Sequence, residues 1–290
     1  MKNSNMKFVL GSATFGMDYG ITNSHGRLST HENIAILNAA RQANITAIDT
    51  SPNYGDAELR LGEMLNGNST EYTSKFFIPK DIKPVDVDNI LLSIETSIAN
   101  LKCSQLTNIL LHNSDALEDK RFSITQEIMT QIKQKGLAKN IGISVYTVEQ
   151  TNNILNKWTP DIIQFPINIF NQSFAQSGIL KELSRNKIKT QARSIFLQGL
   201  LLSNIIPNKL NFGYKHFEHY QSWQHRNSVT ALQACLSYIQ AITEIEDVLI
   251  GVSSREELIS IINSEYVPGL NFDELASSDK ILNNPSKWFI

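Results

Sequence analysis

The sequence predicts an α/β fold, a single (β/α)8 barrel over residues 1–290 with a long connection after the seventh strand and a C-terminal tail. Three observations predict it. Short β-prone runs alternate with amphipathic helical stretches along the whole chain. Parallel strands need a crossover over a face of the sheet, and eight such units favour closure into a barrel over an open doubly wound sheet. The strand cores are apolar, as strands buried on both faces are.

The strands are read at KFVLGSA (7–13), TAIDTS (46–51), KFFIPK (75–80), NILLH (108–112), NIGISV (140–145), DIIQFP (161–166), KIKTQA (187–192) and VLIGV (248–252). Helical periodicity falls between them, at 30–43, 56–66, 86–101, 122–135, 147–157, 174–186, 226–244 and 254–264. The first helix opens at Thr30, whose hydroxyl can cap exposed backbone N–H groups, with Glu32 in its first turn. Residues 202–225 and 265–290 break the rhythm, and the first of these is rich in His, Tyr, Phe and Trp.

A chain of 290 residues can close such a barrel as one domain. It buries a core large enough to need no disulfide or metal staple. With 41% hydrophobic and 19% charged residues, the composition is that of a soluble globular protein. The net charge is -2 and there is no basic stripe, which excludes a generic nucleic-acid binder. Cys103 and Cys235 are read as small buried hydrophobes on helices, since neither a CxxC pair nor a His ligand spacing predicts a metal site. The segment MKNSNMKFVLGSATFG lacks a signal-peptide apolar region, and no run approaches the ~20 apolar residues of a membrane span. A cytoplasmic protein without a membrane partner is expected.

In a (β/α)8 barrel the reactive side chains stand at the C-terminal ends of the strands. Strand two ends in Asp49, followed by SPNYG with Tyr54. Strand three, as read, ends in Lys80, and strand four in His112. Adjacent strands lie about 4.8 Å apart, so an acid, a phenol, an ammonium and an imidazole can converge. Singly, each has an ordinary reading as a loop cap, a packed aromatic, a surface lysine or a hydrogen-bonded histidine. Jointly, in register with the strand ends, they suit carbonyl reduction, which needs a hydride on carbon and a proton on oxygen. A phenol titrates near pH ~10 and a neighbouring ammonium stabilises its phenolate. At ~4 Å and an effective dielectric of ~20 that interaction is about 4 kcal/mol. A carboxylate keeps the ammonium charged and oriented, and the imidazole can hydrogen-bond the substrate oxygen or orient the phenol. Lys75 is the alternative to Lys80, but the strand limits place it near the N-terminal end, on the opposite face of the barrel.

The segments LGSATFG (10–16), AIDTSPNYGDAELRLGEML (47–65), FFIPK (76–80), LLH (110–112), GISVYT (142–147), IIQFPIN (162–168), RSIFLQGLL (193–201) and VLIGVSSREEL (248–258) resemble the aldo-keto reductases in order and spacing. The resemblance covers nearly the whole chain, and DTSxxYGxxExxLG is its most specific part. It implies a catalytic tetrad of Asp49, Tyr54, Lys80 and His112. It also implies a nicotinamide cofactor, bound by Thr14, Phe15, Asp49, Ser144, Gln164 and Arg193 among others, with Ser144 and Gln164 at the nicotinamide amide. Ser194, Gln198 and Gly199 match the loop that wraps the pyrophosphate, and Ser253, Ser254 and Glu257 match the adenosine end. Arg255 is the candidate partner of a 2′-phosphate. Three positions depart from the family pattern: Pro79 stands where Thr is usual, Val145 where Asn is usual, and Arg193 where a Tyr often stacks on the nicotinamide. No GxGxxG follows the first strand, which disfavours a Rossmann site.

The expected activity is reduction of a small aldehyde or ketone with NADPH, or secondarily NADH, with Tyr54 as general acid. Three alternatives stand beside it. One is the same scaffold acting on a sugar or nucleotide-sugar intermediate, because RSIFLQGLL resembles reductases associated with bacterial surface-carbohydrate pathways. The others are a non-catalytic nicotinamide-sensing subunit and a barrel lyase or aldolase using Lys80 as a Schiff base. Residues 207–225 carry Phe212, Tyr214, His216, Phe217, His219, Tyr220, Trp223 and His225. They read as a satellite cluster on the rim or as a lid, in which Tyr214 and Trp223 join Tyr54 and His112 as substrate contacts. The oligomeric state is left open by the sequence.

Overall fold

Eight parallel strands close into a barrel in chain order, each bonded to the next and the eighth to the first. They are β1 (Lys7–Gly11), β2 (Ala47–Asp49), β3 (Glu71–Phe76), β4 (Leu106–Leu111), β5 (Ala138–Ser144), β6 (Ile162–Pro166), β7 (Lys189–Arg193) and β8 (Asp247–Gly251). The structure, a computed structural model, describes residues 6–23, 26–66, 70–207, 210, 213–285 and 288. Closure leaves no unpaired strand edge. The fold class expected from the sequence is the one observed.

The surrounding helices are α1 (Ala13–Gly16), α2 (Thr30–Gln42), α3 (Ala57–Leu65), α4 (Val87–Asn100), α5 (Phe122–Gln134), α6 (Val148–Leu155), α7 (Ser173–Gln176), α8 (Ile179–Arg185), α9 (Tyr214–Asn227), α10 (Ala231–Gln240) and α11 (Arg255–Ile262). Ser29, not Thr30, caps α2: its hydroxyl accepts from Glu32 N–H while the Glu32 carboxylate accepts from Ser29 N–H. The same reciprocal box starts α6 at Thr147 with Gln150 and α10 at Thr230 with Gln233. Each box satisfies two backbone donors that the first helical turn leaves unpaired. The stretch read as one helix over 174–186 is split into α7 and α8 at Gly178, which adopts a left-handed φ of 82°. Among the described residues, no helix is long and apolar enough to cross a membrane.

Strand three departs most from expectation. It spans Glu71–Phe76, not 75–80, and pairs Asp49 with Thr73 and Phe76 with Leu111. Pro79 has no N–H to give a ladder, so FFIP cannot continue a central strand. Lys75 is therefore near the C-terminal end of β3, and Lys80 lies in the exposed turn beyond it. The polar residues that hide EYTSKF as a strand have partners on both faces. Thr73 Oγ1 accepts from Asn108 Nδ2 at 2.8 Å, and Ser74 Oγ donates to Glu58 Oε1 at 2.6 Å. Burial pushes the Glu58 carboxyl above its ordinary range, against the pull of Ser74 and Ser97.

The segment read as a loop over 202–225 holds most of α9, which runs on to Asn227, and its inward face is structural. Phe217, Tyr220 and Trp223 are buried, and Trp223 Nε1 donates to Asn271 O at 3.1 Å. Phe170 meets Phe217 edge to face at 5.3 Å, and Trp223 lies 5.1 Å from the Phe272 ring. Position 212 lies outside the described residues. Cys235 is buried on α10 as expected, whereas Cys103 is half-buried in the turn after α4, not on a helix.

Candidate active site

Asp49 ends β2, and its carboxylate is divided between two buried partners. Lys75 Nζ donates to Oδ1 at 2.5 Å, and Gln164 Nε2 donates to Oδ2 at 2.9 Å. Lys75 Nζ also donates to Thr50 O at 2.9 Å. Burial alone would drive the lysine neutral, but Asp49 and Tyr54 overcome it and hold the ammonium above its ordinary value. The same Nζ stands 5.1 Å from the centre of the Tyr54 ring.

Tyr54 sits in the turn between β2 and α3, where its N–H donates to Ser51 O and its carbonyl accepts from Ala57 N–H. Two glycines clamp this turn. A Cβ on Gly16 of α1 would come 1.8 Å from Tyr54 O, and one on Gly55, at φ 60°, would come 2.3 Å from Gly16 O. Backbone thus lies directly on backbone beneath the phenol. His112 follows β4, tied by its N–H to Phe76 O at 2.8 Å. Its imidazole is pushed down to about 4, chiefly by burial and then by the positive charges of Lys75 and Arg193.

The structure therefore joins Asp49, Tyr54 and His112 with Lys75, and does not bring Lys80 to them. The register of β3 is the reason. Lys75 is the site residue that the sequence reading placed on the wrong face. The signal that could have found it is its spacing, since it falls two residues beyond Thr73, the Cα partner of Asp49.

Around this group the other candidates fall on the same strand ends. Ser144 Oγ donates to Gln164 Oε1 at 3.2 Å, and Gln164 Nε2 reaches Gln191 Oε1 at 2.6 Å, so a buried amide chain runs from β5 to β7 beside Asp49. Thr14 Oγ1 donates to Val252 O at 3.0 Å, and Phe15 is fully buried in the core. Arg193, ending β7, donates to Val145 O at 3.1 Å and to Ser194 Oγ at 3.4 Å. Its guanidinium lies 4.5 Å from the centre of the Tyr146 ring. Tyr19, 43% exposed, completes the mouth. Its phenol is raised by burial first, and it also feels the charges of Tyr54, Arg193, Tyr146 and Lys75. Nothing in the sequence singled out Tyr19 or Tyr146.

Beyond Arg193, Ser194, Leu197, Gln198 and Gly199 all take positive φ, and the turn is closed by Leu197 N–H donating to Ser194 O and Gly199 N–H to Phe196 O, each at 3.0 Å. A Cβ on Gly199 would come 2.1 Å from Thr22 Oγ1. At the end of β8, Gly251 is exposed and a Cβ there would meet nothing within 4 Å. Ser254 then caps α11 by accepting from Glu257 N–H at 3.1 Å, while Glu257 Oε2 accepts from Ser253 N–H at 2.6 Å. Arg255 is half-exposed, 3.5 Å from Glu256. A buried amide at one end, and a left-handed turn with a capped helix start at the other, form a donor set that fits a dinucleotide. Of the two aromatic residues expected to touch substrate, Tyr214 is 52% exposed at the start of α9 and Trp223 is only 1% exposed, inside the core. Trp223 cannot reach a ligand.

In the yeast Saccharomyces cerevisiae, D-arabinose 1-dehydrogenase is 27% identical over 122 residues, 39% of this chain and 36% of that protein. Aldo-keto reductase YhdN of Bacillus subtilis is 26% identical over 180 residues, 58% of this chain and 53% of that protein. The chain thus spans about half or less of the length of these curated relatives. An aldo-keto reductase structure from Bacillus halodurans superposes with a TM-score of 0.75 at 16% identity, covering 93% of this chain and 92% of that one. One from Pseudomonas aeruginosa gives 0.65 at 19% identity, with coverage of 88% and 87%. These two likenesses are of fold. The family model of the aldo/keto reductases matches residues 7–283, and the chain belongs to that family.

Proposed function

We propose that the protein reduces the carbonyl group of a small aldehyde or ketone with a nicotinamide cofactor, NADPH in preference to NADH. The observation that carries the reading is the buried Asp49–Lys75 pair beneath the Tyr54 ring at the mouth of the barrel. A bound reduced nicotinamide supplies the hydride that adds to the carbonyl carbon. Tyr54 gives its phenolic proton to the carbonyl oxygen, so that C=O becomes CH–OH. Lys75 stabilises the phenolate left behind until solvent returns a proton. Asp49 keeps Lys75 charged and aimed at Tyr54. His112, neutral at physiological pH, offers an N–H to the same oxygen as negative charge grows there.

Ser144, Gln164 and Asp49 hold the nicotinamide end, Ser194, Gln198 and Gly199 the pyrophosphate, and Ser253, Ser254, Arg255 and Glu257 the adenosine end. A sugar substrate is a second reading, supported by the name of the yeast relative, D-arabinose 1-dehydrogenase. The aromatic face of α9 does not support it, because Phe217, Tyr220 and Trp223 pack inward. The test is NADPH and NADH binding by fluorescence, followed by turnover on a panel of aldehydes, ketones and keto-sugars. Binding of neither nucleotide refutes the proposal.

A further inference from the structure

Arg193 carries a positive charge that no carboxylate answers. Among the described residues, Arg27, Arg121, Arg226 and Arg255 pair with acidic side chains, whereas Arg193, like Arg41, Arg60 and Arg185, pairs with none. Its hydrogen bonds go to a carbonyl and a hydroxyl, Val145 O and Ser194 Oγ. The nearest acid in the site, Asp49, is committed to Lys75 and Gln164. Within the mouth, Asp49 and Lys75 cancel, and His112 is uncharged near neutral pH. Of these groups, Arg193 is the one that keeps a positive charge without an acidic partner.

The guanidinium is also held still. It is half-buried at the end of β7 and lies on the Tyr146 ring at 4.5 Å. A guanidinium has five N–H donors in a fixed plane, so two bonds leave the rest of the fork open. A fork of fixed orientation suits the two oxygens of a carboxylate or phosphate. Arg193 ends β7 and Asp49 ends β2, so the guanidinium and the Asp49–Lys75 pair stand at the same end of the barrel.

We propose that Arg193, held on Tyr146, binds an anionic group of the substrate, a carboxylate or a phosphate, and so presents the carbonyl of an acidic aldehyde or ketone to Tyr54. The inference rests on the reductase reading and names its substrate class. The same anion chemistry exists in the cofactor's phosphates, and the experiment separates the two sources.

Two matched pairs of probes are compared with the NADPH-loaded protein: 4-carboxybenzaldehyde against its methyl ester, and glyceraldehyde 3-phosphate against glyceraldehyde. The wild type is expected to favour the anionic member of at least one pair by about tenfold or more in kcat/KM, the scale of a charge-assisted bond. Arg193→Met removes that preference, mainly by raising KM for the anion. Arg193→Lys, which keeps the charge without the fork, retains part of it and guards against a Met variant that folds poorly. NADPH affinity is measured by fluorescence on all three proteins. A wild type with no preference in either pair overturns the proposal. So does an Arg193→Met protein that loses NADPH affinity while the probe ratios stand, since the anion is then the cofactor's. If no probe turns over, the reductase reading is what has failed. Calorimetric titration of 4-(hydroxymethyl)benzoate against its methyl ester then decides the anion site. Equal binding of acid and ester by the wild type overturns it, and tighter acid binding that Arg193→Met abolishes supports it.

Discussion

Lys75 Nζ lies 2.5 Å from Asp49 Oδ1 inside the barrel, with the two side chains only 2% and 1% exposed. Removing one member of such a pair leaves an uncompensated buried charge, at a cost of about 3–5 kcal/mol. Lys75→Met is therefore expected to lower the melting temperature and to abolish turnover. Lys80→Met, in an exposed turn, should change neither. Melting curves and steady-state rates on the two variants settle which lysine serves the site. An inactive Lys80 variant beside an active Lys75 variant would reverse the assignment.

Tyr54→Phe keeps the ring against the core and removes only the hydroxyl. Fluorescence titration should show NADPH affinity near that of the wild type. Turnover should fall by at least ~100-fold, the usual effect of losing a general acid. A variant that still turns over at nearly the wild-type rate denies Tyr54 the proton.

His112 ties stability to pH. Its native value of about 4 lies below the ordinary 6.5. Between those values the unfolded chain binds a proton that the native protein does not. The stability His112 contributes is present above pH ~6.5 and is lost as pH falls toward ~4. The melting temperature of the wild type should drop between pH 7 and pH 5 by more than that of His112→Gln. Equal drops would mean that the imidazole titrates normally.

Trp223→Ala tests the role of α9. The indole is fully enclosed and hydrogen-bonded to Asn271 O, so its loss should cost about 3–5 kcal/mol. The ratio of kcat/KM between any two substrates should stay as it was. A shift in that ratio with stability preserved would restore a substrate-facing role.

Cofactor choice is expected to turn on Arg255, which is half-exposed at the first position of α11, 3.5 Å from Glu256. A charge-assisted bond to a 2′-phosphate contributes about 1.5–3 kcal/mol. Arg255→Ala should bring the NADPH and NADH dissociation constants together, and the gap should also shrink with salt. A wild type that binds both equally removes the preference.

The barrel was legible because the repeat of apolar strand and amphipathic helix is a property of the whole chain. Asp49 and His112 were legible because apolar runs, AID and NILL, point straight at them. Lys75 was not, because a barrel strand lining a polar interior loses the apolar signature that marks a strand. Thr73, Ser74 and Lys75 are satisfied by Asn108, Glu58 and Asp49, three residues remote in sequence. The apolar FFI beside them drew the strand forward by several positions. The α9 segment misled in the opposite direction. Its rings are spaced for one helical face, as Phe217, Tyr220 and Trp223 show, but its many His and Gln residues conceal the stripe. Arg193 could be named from sequence, but its stacking on Tyr146 could not, since it depends on the register Ser144–Gln164–Gln191, which brings the residue two beyond β5 alongside the end of β7.

The Gly16–Gly55 clamp has a bearing on how this site can evolve. Main chain pressed on main chain fixes the turn that carries Tyr54. Residues at the strand ends, Arg193 among them, lie outside this clamp, and exchanges there are expected to leave the Tyr54 turn in place. The two glycines have no such freedom. A single methyl group at either would pass its whole displacement to the phenol, so a saturation library should return position 16 as nearly invariant and the rim positions as the place where new substrates are found.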